Sequence, residues 1–452
     1  MKTKLLLLFS LITTQIIFGQ CWNNVATNYW NTIALKNDGT VWGCGSNESA
    51  MLGNSSNTPI SEFALVWDGN DWAKVFSGSQ ISAGIKNNGT LWTCGFNGYG
   101  QIGDGTTNTG WLPTQVTTAN NWLNIDIGSV FCIALKSDGT LWAWGNNTTA
   151  GCLGNNSTAN SLSPIQIGID TNWQKIAVGS DHTIALKTDG TLWAWGYNSI
   201  GQVGNGTTTN QATPLQIGTD NNWTEVYAGW NTSFAKKSDG TIWAWGSNGA
   251  ANFGNGNSTS SSSPVQATLL SNVMSIAVGS GFTIILKNDG TIYGVGQNNS
   301  GQLGLGNTNP VSIPTQIGTA NNWVKISAGY DHAFAINSNG QMYDWGANDQ
   351  REMSQPITGG FSYTSPTQVN CGALSTVENQ ISKIQFYPNP TTGIVNIKDE
   401  ISEVKLLTLD GKTIKTYENE NQIDISSLSK GIYLIQLIDD YGKIYFNKII
   451  KN

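Results

Sequence analysis

Apolar and polar residues alternate from Trp173 to Val178, pause, and resume from Thr183 to Lys187, so two short strands are predicted. The Asp189-Gly190 pair that follows is a tight hairpin turn. Thr191 to Trp195 then reads as a third strand rich in β-formers, and after a loop of glycine and asparagine Pro214 to Ile217 reads as a short fourth. The pattern recurs along the chain. Its Asp-Gly or Asn-Gly turn returns at Gly39, Gly89, Gly139, Gly190, Gly240, Gly290 and Gly340, with spacings of 50, 50, 51, 50, 50 and 50 residues. Such a period signals a solenoid or a propeller. Four antiparallel strands per copy, seven copies and no helical periodicity predict an all-β, seven-bladed β-propeller of four-stranded blades.

The repeat carries a finer signature: Gly179-x-x-His182, Ala185-Leu186, Asp189-Gly190, Trp195-Gly196, Asn198 and Gly201-Gln202-x-Gly204. It resembles the regulator of chromosome condensation repeat, over roughly Cys21 to Cys371, and lacks the double glycine of kelch repeats. The resemblance implies the seven-bladed propeller but no single activity, since folds and functions separate readily. Secreted propellers of that family include inhibitors that clamp β-lactamases with loop aromatics, which is an analogy without residue correspondence.

Charge narrows the partners. Between Cys21 and Cys371 there are 11 Lys and Arg against 19 Asp and Glu, about −8 formally, and Arg351 is the sole arginine. A domain so poor in cations lacks the footprint of a nucleic-acid binder. Residues 1–20 have Lys2 and Lys4 ahead of an apolar run from Leu5 to Phe18, the pattern of a secretory signal peptide. No later segment is apolar enough to span a membrane as a helix, so an exported chain is expected, acting as a monomer.

Six cysteines allow 15 full pairings. Cys371 holds the repeat position of Thr219 and Cys21 that of Asn222, places three residues apart in one inter-blade connection. A Cys21–Cys371 disulfide is therefore expected to replace the missing link between blades seven and one, worth roughly 5 kcal/mol on the chain-entropy model. Cys44 and Cys94 stand where other repeats have Trp144, Trp195 and Trp245, and are expected to be small buried hydrophobes. Cys132 and Cys152 lie in one blade, and whether they pair is left open.

After a polar linker, residues 372–381, the composition changes: tryptophan vanishes while lysine and isoleucine rise. Phe386-Tyr387-Pro388-Asn389-Pro390 introduces Gly393-Ile394-Val395, a turn at Asp410-Gly411-Lys412, and the strand Gly431-Ile432-Tyr433-Leu434-Ile435. Residues 382–452 read as a small β-sandwich and resemble the C-terminal sorting domain of the type IX secretion system. That resemblance implies recognition by the secretion machinery and a mature propeller secreted or held on the outer cell surface.

Candidate chemistry is sparse. The two histidines, His182 and His332, share a repeat position that elsewhere holds Asn31, Ile81, Phe131, Thr232 and Phe282, so a packing role is expected. No metalloprotease, calcium-loop, phosphate-loop or serine-elbow motif occurs. No catalytic residue, metal or cofactor is expected, and the protein is not expected to be an enzyme. Fifteen of the 19 tryptophans are locked to the repeat, six starting strand one and nine in strand three, which leaves Trp30, Trp67, Trp111 and Trp230 off-pattern. By strand parity, the turns after strands one and three share a face. That face is expected to carry Tyr29, Trp30, Trp230 and Tyr330 in strand-one turns, and Phe96, Tyr99, Trp111, Tyr197 and Arg351 in long loops. Aromatics and arginine are what binding hot spots favour. The expected function is non-enzymatic binding of a macromolecular partner, an extracellular or surface protein or a glycan, through this face. A glycan-binding adhesion module is the alternative, an enzyme in the channel a remote one, and capping of loops or plugging of the channel the bland reading.

Overall fold

The computed structural model describes residues 21–148, 150–355, 362–370, 386–398, 402–408, 413–418, 420–438 and 444–452. The signal-peptide stretch, the linker and the Asp410-Gly411-Lys412 turn lie outside them. Two compact units divide between Cys371 and Gly372.

The first unit is a seven-bladed propeller. Each blade is a four-stranded antiparallel sheet in sequence order, as in blade four: Trp173–Val178, His182–Lys187, Leu192–Gly196 and Gln211–Gln216. The fourth strand begins earlier than alternation predicts because a bulge between Ala194 and Gly196 re-pairs Gly196 with Gln211. Pro214 sits inside that bulged outer strand, where a missing N–H breaks no ladder bond. The Asp-Gly turn needs its glycine twice over. Gly190 has φ +78°, and a Cβ there would stand 2.1 Å from Asn221 O in the link to the next blade.

Side chains bind the blades to one another. Trp195 and Trp245 end strand three of blades four and five, are fully buried, and donate Nε1–H to the carbonyls of Cys152 and Gln202 in the preceding blade, at 3.0 and 2.9 Å. The closure between blades seven and one uses the same bonds as the other seams. Trp22 N donates to Gly340 O at 3.1 Å, as Trp173 N does to Gly139 O, and Tyr330 N donates to Asn28 O at 2.9 Å. Cys21 is disulfide-bonded; its expected partner, Cys371, lies outside the described residues. Cys44, Cys94, Cys132 and Cys152 are buried free thiols, so Cys132 and Cys152 do not pair. The seam geometry separates them: Cys132 Sγ lies against Gln101 O and Cys152 Sγ against Asp181 O, in different neighbouring blades.

The second unit is a small β-sandwich. One sheet holds Phe386–Tyr387, Ile394–Ile397 and Gln422–Asp424, and the other Thr413–Glu418, Glu403–Leu407, Gly431–Ile438 and Ile444–Lys451. Val395, Val404, Ile423, Ile435 and Ile449 meet between them. Among the described residues no helix is long and apolar enough to cross a membrane.

Candidate functional site

Strand one of every blade lines the central channel and ends in a short turn at its mouth. The middle residue of that turn is Tyr29, Ser79, Ser129, Ser180, Trp230, Ser280 and Tyr330 in blades one to seven. Backbone bonds join neighbouring turns into a rim: Ser129 N to Ser180 O, Ser180 N to Trp230 O, and Ser280 N to Tyr330 O. Four serines leave room, and three aromatics fill it. Tyr29 stacks on Tyr330 with ring centroids 5.3 Å apart, and Trp230 meets Tyr29 at 4.5 Å and Tyr330 at 4.7 Å. Trp30 packs edge-on to Tyr29 at 5.6 Å. Blades five, seven and one thus meet through their aromatics across the mouth.

Trp230 is held there at a cost. Its φ is +51°, a left-handed conformation that a bulky residue adopts at roughly 1–2 kcal/mol. Such strain in a side chain that reaches across an opening is a mark of a selected position. Trp30 and Tyr330 remain 43% and 37% exposed, while Tyr29 and Trp230 are half-buried. Burial first, then Tyr330 and Asp181, push the Tyr29 hydroxyl up to about 12.

Below the cluster lies a cavity of about 140 Å³ lined mainly by polar groups, among them Thr27, Ser77, Asp126, Ser129 and Ser180. Asp126 accepts from Val178 N at 2.8 Å and Ile127 N at 2.9 Å, tying blade three to blade four, and burial pushes its carboxyl up to about 6. The histidines stand at two blade seams. Ser233 Oγ donates to Gln202 O at 2.8 Å, so it accepts from His182 Nε2–H, also at 2.8 Å. His332 Nε2 pairs likewise with Thr27 Oγ1 of blade one. Burial lowers both imidazoles to about 3, which keeps them neutral. Gly179 is obligatory beside His182, since a Cβ would meet the ring at 2.2 Å. Alongside packing, these side chains therefore add hydrogen bonds between blades. Among the described residues no group of three or more His, Cys, Asp or Glu is placed to hold a metal ion.

The remaining aromatics do not join the mouth cluster. Phe96 and Tyr99 pair with each other at 6.1 Å on blade two. Tyr197 packs against the core between blades three and four. Arg351 is exposed on blade seven at φ +63°, where Gly201 and Gly301 stand in other repeats. Trp111 is misplaced by the sequence reading. It is the second residue of an outer strand, Gly110–Gln115, and 47% exposed on the rim, because the bulge brings the strand start into what reads as loop.

Trp67 is a core residue. It is 1% exposed, donates Nε1–H to Leu52 O at 3.0 Å, and lies beside Cys94. A Cβ on Gly53 would meet Trp67 Nε1 at 2.8 Å, as one on Gly103 would meet Trp144 Nε1 at 2.8 Å. Trp67 therefore fills, from the blade-one outer strand, the slot that Cys94 leaves empty. The loops themselves are firmly built. Buried Asn198 gives Nδ2–H to Thr207 O and Thr209 O and takes Val203 N, and Asn97, Asn147, Asn248 and Asn298 repeat the pattern.

Regulator of chromosome condensation (RCC1) repeats match at residues 88–135, 138–186, 189–235, 239–286 and 289–336, with further repeat matches between 72 and 351. The chain belongs to the RCC1-repeat family. Its residues 385–452 match a secretion system C-terminal sorting domain. Among solved structures, the RCC1-repeat unit is similar to yeast RCC1 (Prp20) bound to Kap60, at 20% identity over 77% of this chain and 85% of that one, TM-score 0.65. Prp20p from Saccharomyces cerevisiae, described with its binding to Gsp1p and histones, matches at 20% identity over 77% and 87%, TM-score 0.66. Human WBSCR16 matches at 22% identity over 71% and 88%, TM-score 0.62. At these identities the likeness shows the fold alone. The sorting domain directs the RCC1-repeat propeller through type IX secretion to the outer surface or beyond the cell, and implies contact with that machinery.

Proposed function

We propose that this exported RCC1-repeat propeller is a non-enzymatic binding protein that grips an extracellular protein through the mouth of its channel. The observation that carries the reading is the aromatic cluster of Tyr29, Trp230 and Tyr330 across the mouth, with Trp30 exposed beside it and Trp230 held in a left-handed backbone. Rigid aromatic anchors on a surface fixed by buried hydrogen bonds are the ingredients of binding hot spots. Absence of catalysis is part of the proposal. The channel carboxyl of Asp126 is taken up by two backbone N–H groups, and both histidines are spent on blade seams.

Exposed Trp30 and Trp111 favour a second reading, glycan adhesion, because flat indoles stack on sugar rings. Capture experiments with the full chain against envelope proteins, culture proteins and a glycan panel separate the two. The Trp30→Ala, Trp230→Ala, Tyr330→Ala variant, with its melting temperature checked, should lose the captured ligand at least tenfold. Equal capture by parent and folded variant would overturn the mouth as the site.

A further inference from the structure

The lysines of the propeller are gathered on one face. One lysine ends strand two of each of blades one to six, beside the Asp-Gly turns, and lies over aromatic rings, as Lys187 does 3.8 Å from the Trp193 centroid. Lys74, Lys175 and Lys325 sit near the same end of strand one, each with Nζ on a strand-one carbonyl of the next blade, and Lys236 Nζ bonds Val273 O. None of the ten lysines between Cys21 and Cys371 stands in a strand-one turn or a strand-three loop.

Carboxylates offset these lysines on their own face, in the five Asp-Gly turns and in the pairs Lys86–Asp71, Lys175–Glu225, Lys187–Asp170 and Lys237–Asp220. The mouth has no such balance. Its turns and loops carry Glu48, Asp104, Asp181, Asp331 and Asp349, with Arg351 as the one cation. Asp331 follows Tyr330 directly, and Asp181 acts on Tyr29 through its charge. Burial first, then the neighbouring Asp349, hold the Asp331 carboxyl up to about 6. Aromatic faces bind cations through their quadrupoles, and carboxylates beside them add to the attraction.

We propose that the group recognised at this mouth is a cationic side chain, an arginine or lysine on a basic surface of the protein partner, laid on the Trp30 and Tyr330 rings with Asp181 and Asp331 as counter-charges. This rests on the mouth being the binding face, and it names the chemistry of the occupant. Charge complementarity argues for it: on the Asp-Gly face lysines and carboxylates offset one another, whereas at the mouth the carboxylates outnumber the one cation.

The test uses the full chain and a labelled peptide of arginines spaced by glycine and serine, beside the same peptide with each arginine replaced by neutral citrulline. Binding is followed by fluorescence anisotropy at low and at physiological salt. The arginine peptide should bind, weaken with salt, and exceed the citrulline peptide by about tenfold. An Asp181→Asn, Asp331→Asn variant keeps the amide oxygen that accepts from Gln302 Nε2 and should cost about tenfold, with unchanged melting. Asp189→Asn, at the opposite face, should change nothing. Equal binding of both peptides, or no loss in the double variant, overturns the cationic occupant. If Trp230→Ala still abolishes that binding, the mouth stands as the site. A neutral oligosaccharide bound in a Trp230-dependent, salt-independent way overturns the proposal in favour of the glycan. Binding of neither peptide overturns it too, while partner capture by the aromatic triple variant decides separately on the mouth.

Discussion

The two faces of the propeller are built from the same strands and have opposite characters. On the Asp-Gly face most turns repeat one circuit. Asp189 Oδ1 accepts from Thr191 N and Oγ1, Thr191 Oγ1 accepts from Trp193 Nε1 at 2.8 Å, and Lys187 lies over Trp193. Asp38, Asp138 and Asp239 repeat it. The polar groups of these turns are largely spent on one another, so the face is nearly uniform. At the mouth the backbone rim is equally regular, yet its side chains are serine in four blades and aromatic in three. A face whose groups satisfy one another is closed to change; a face whose side chains point off a satisfied backbone can acquire a ligand without cost to the fold.

The largest expected effects fall on the structural side of this contrast. The inter-blade links run on the Asp-Gly face. If the Cys21–Cys371 pair supplies the missing link, Cys21→Ser should cost up to roughly 5 kcal/mol in denaturant unfolding. Intact-mass analysis without reductant, showing Cys371 alkylatable in the parent, would refute the pairing. Trp67→Ala should cost roughly 3–5 kcal/mol. Combining Trp67→Thr with Cys94→Trp returns the indole to its usual strand and should recover part of the stability that Trp67→Thr alone loses, as read by melting temperature.

Protonation tests the seam between blades seven and one. Burial raises Asp344 to about 7 and Glu352 to about 8, so the fold keeps protons that the unfolded chain has lost. Stability from these groups is full below their unfolded values near 4 and falls as pH rises through about 7 to 8. His182 and His332 act oppositely. Lowered to about 3, they add stability as pH rises from about 3 to 6.5. Asp344→Asn should therefore raise stability at alkaline pH by on the order of a few kcal/mol, read as a higher melting temperature, and much less in acid. An equal gain at both ends would mean that ionisation of Asp344 is not the cause.

Smaller effects separate the faces most cleanly. Thr191→Val removes the acceptor of Trp193 Nε1–H and should cost about 0.5–1.5 kcal/mol while leaving ligand capture untouched. Trp230→Gly should do the reverse. Lost contacts to two rings, about 0.5–1.5 kcal/mol per pair, are offset by relief of the left-handed backbone, so stability should move by no more than about 2 kcal/mol. Capture should still be lost. A large drop in stability would make Trp230 a structural plug and dissolve the contrast between the faces.

The mouth was only partly legible in the chain. Tyr29, Trp30, Trp230 and Tyr330 stand out because the repeat does not demand them, and strand parity puts them on one face. Trp67 stands out equally and is core, since the vacancy that it fills belongs to Cys94 on a neighbouring blade. Trp111 was assigned to a loop because a bulge leaves no trace in alternation. Asp181 and Asp331 were noticed only as neighbours of histidines.

What the sequence determined by itself is everything that repeats, namely the blade, its turn and the number of copies, and the sorting domain, which has motifs of its own. A motif that recurs at fixed spacing encodes local hydrogen bonding, and local bonding is readable residue by residue. What only the tertiary structure decided is which singular residues meet. Trp230 and Tyr29 lie 201 residues apart along the chain and touch because the ring brings blades five and one to a common opening. That contact depends on the curvature of the whole ring and on the left-handed turn at Trp230, and neither leaves a period in the sequence.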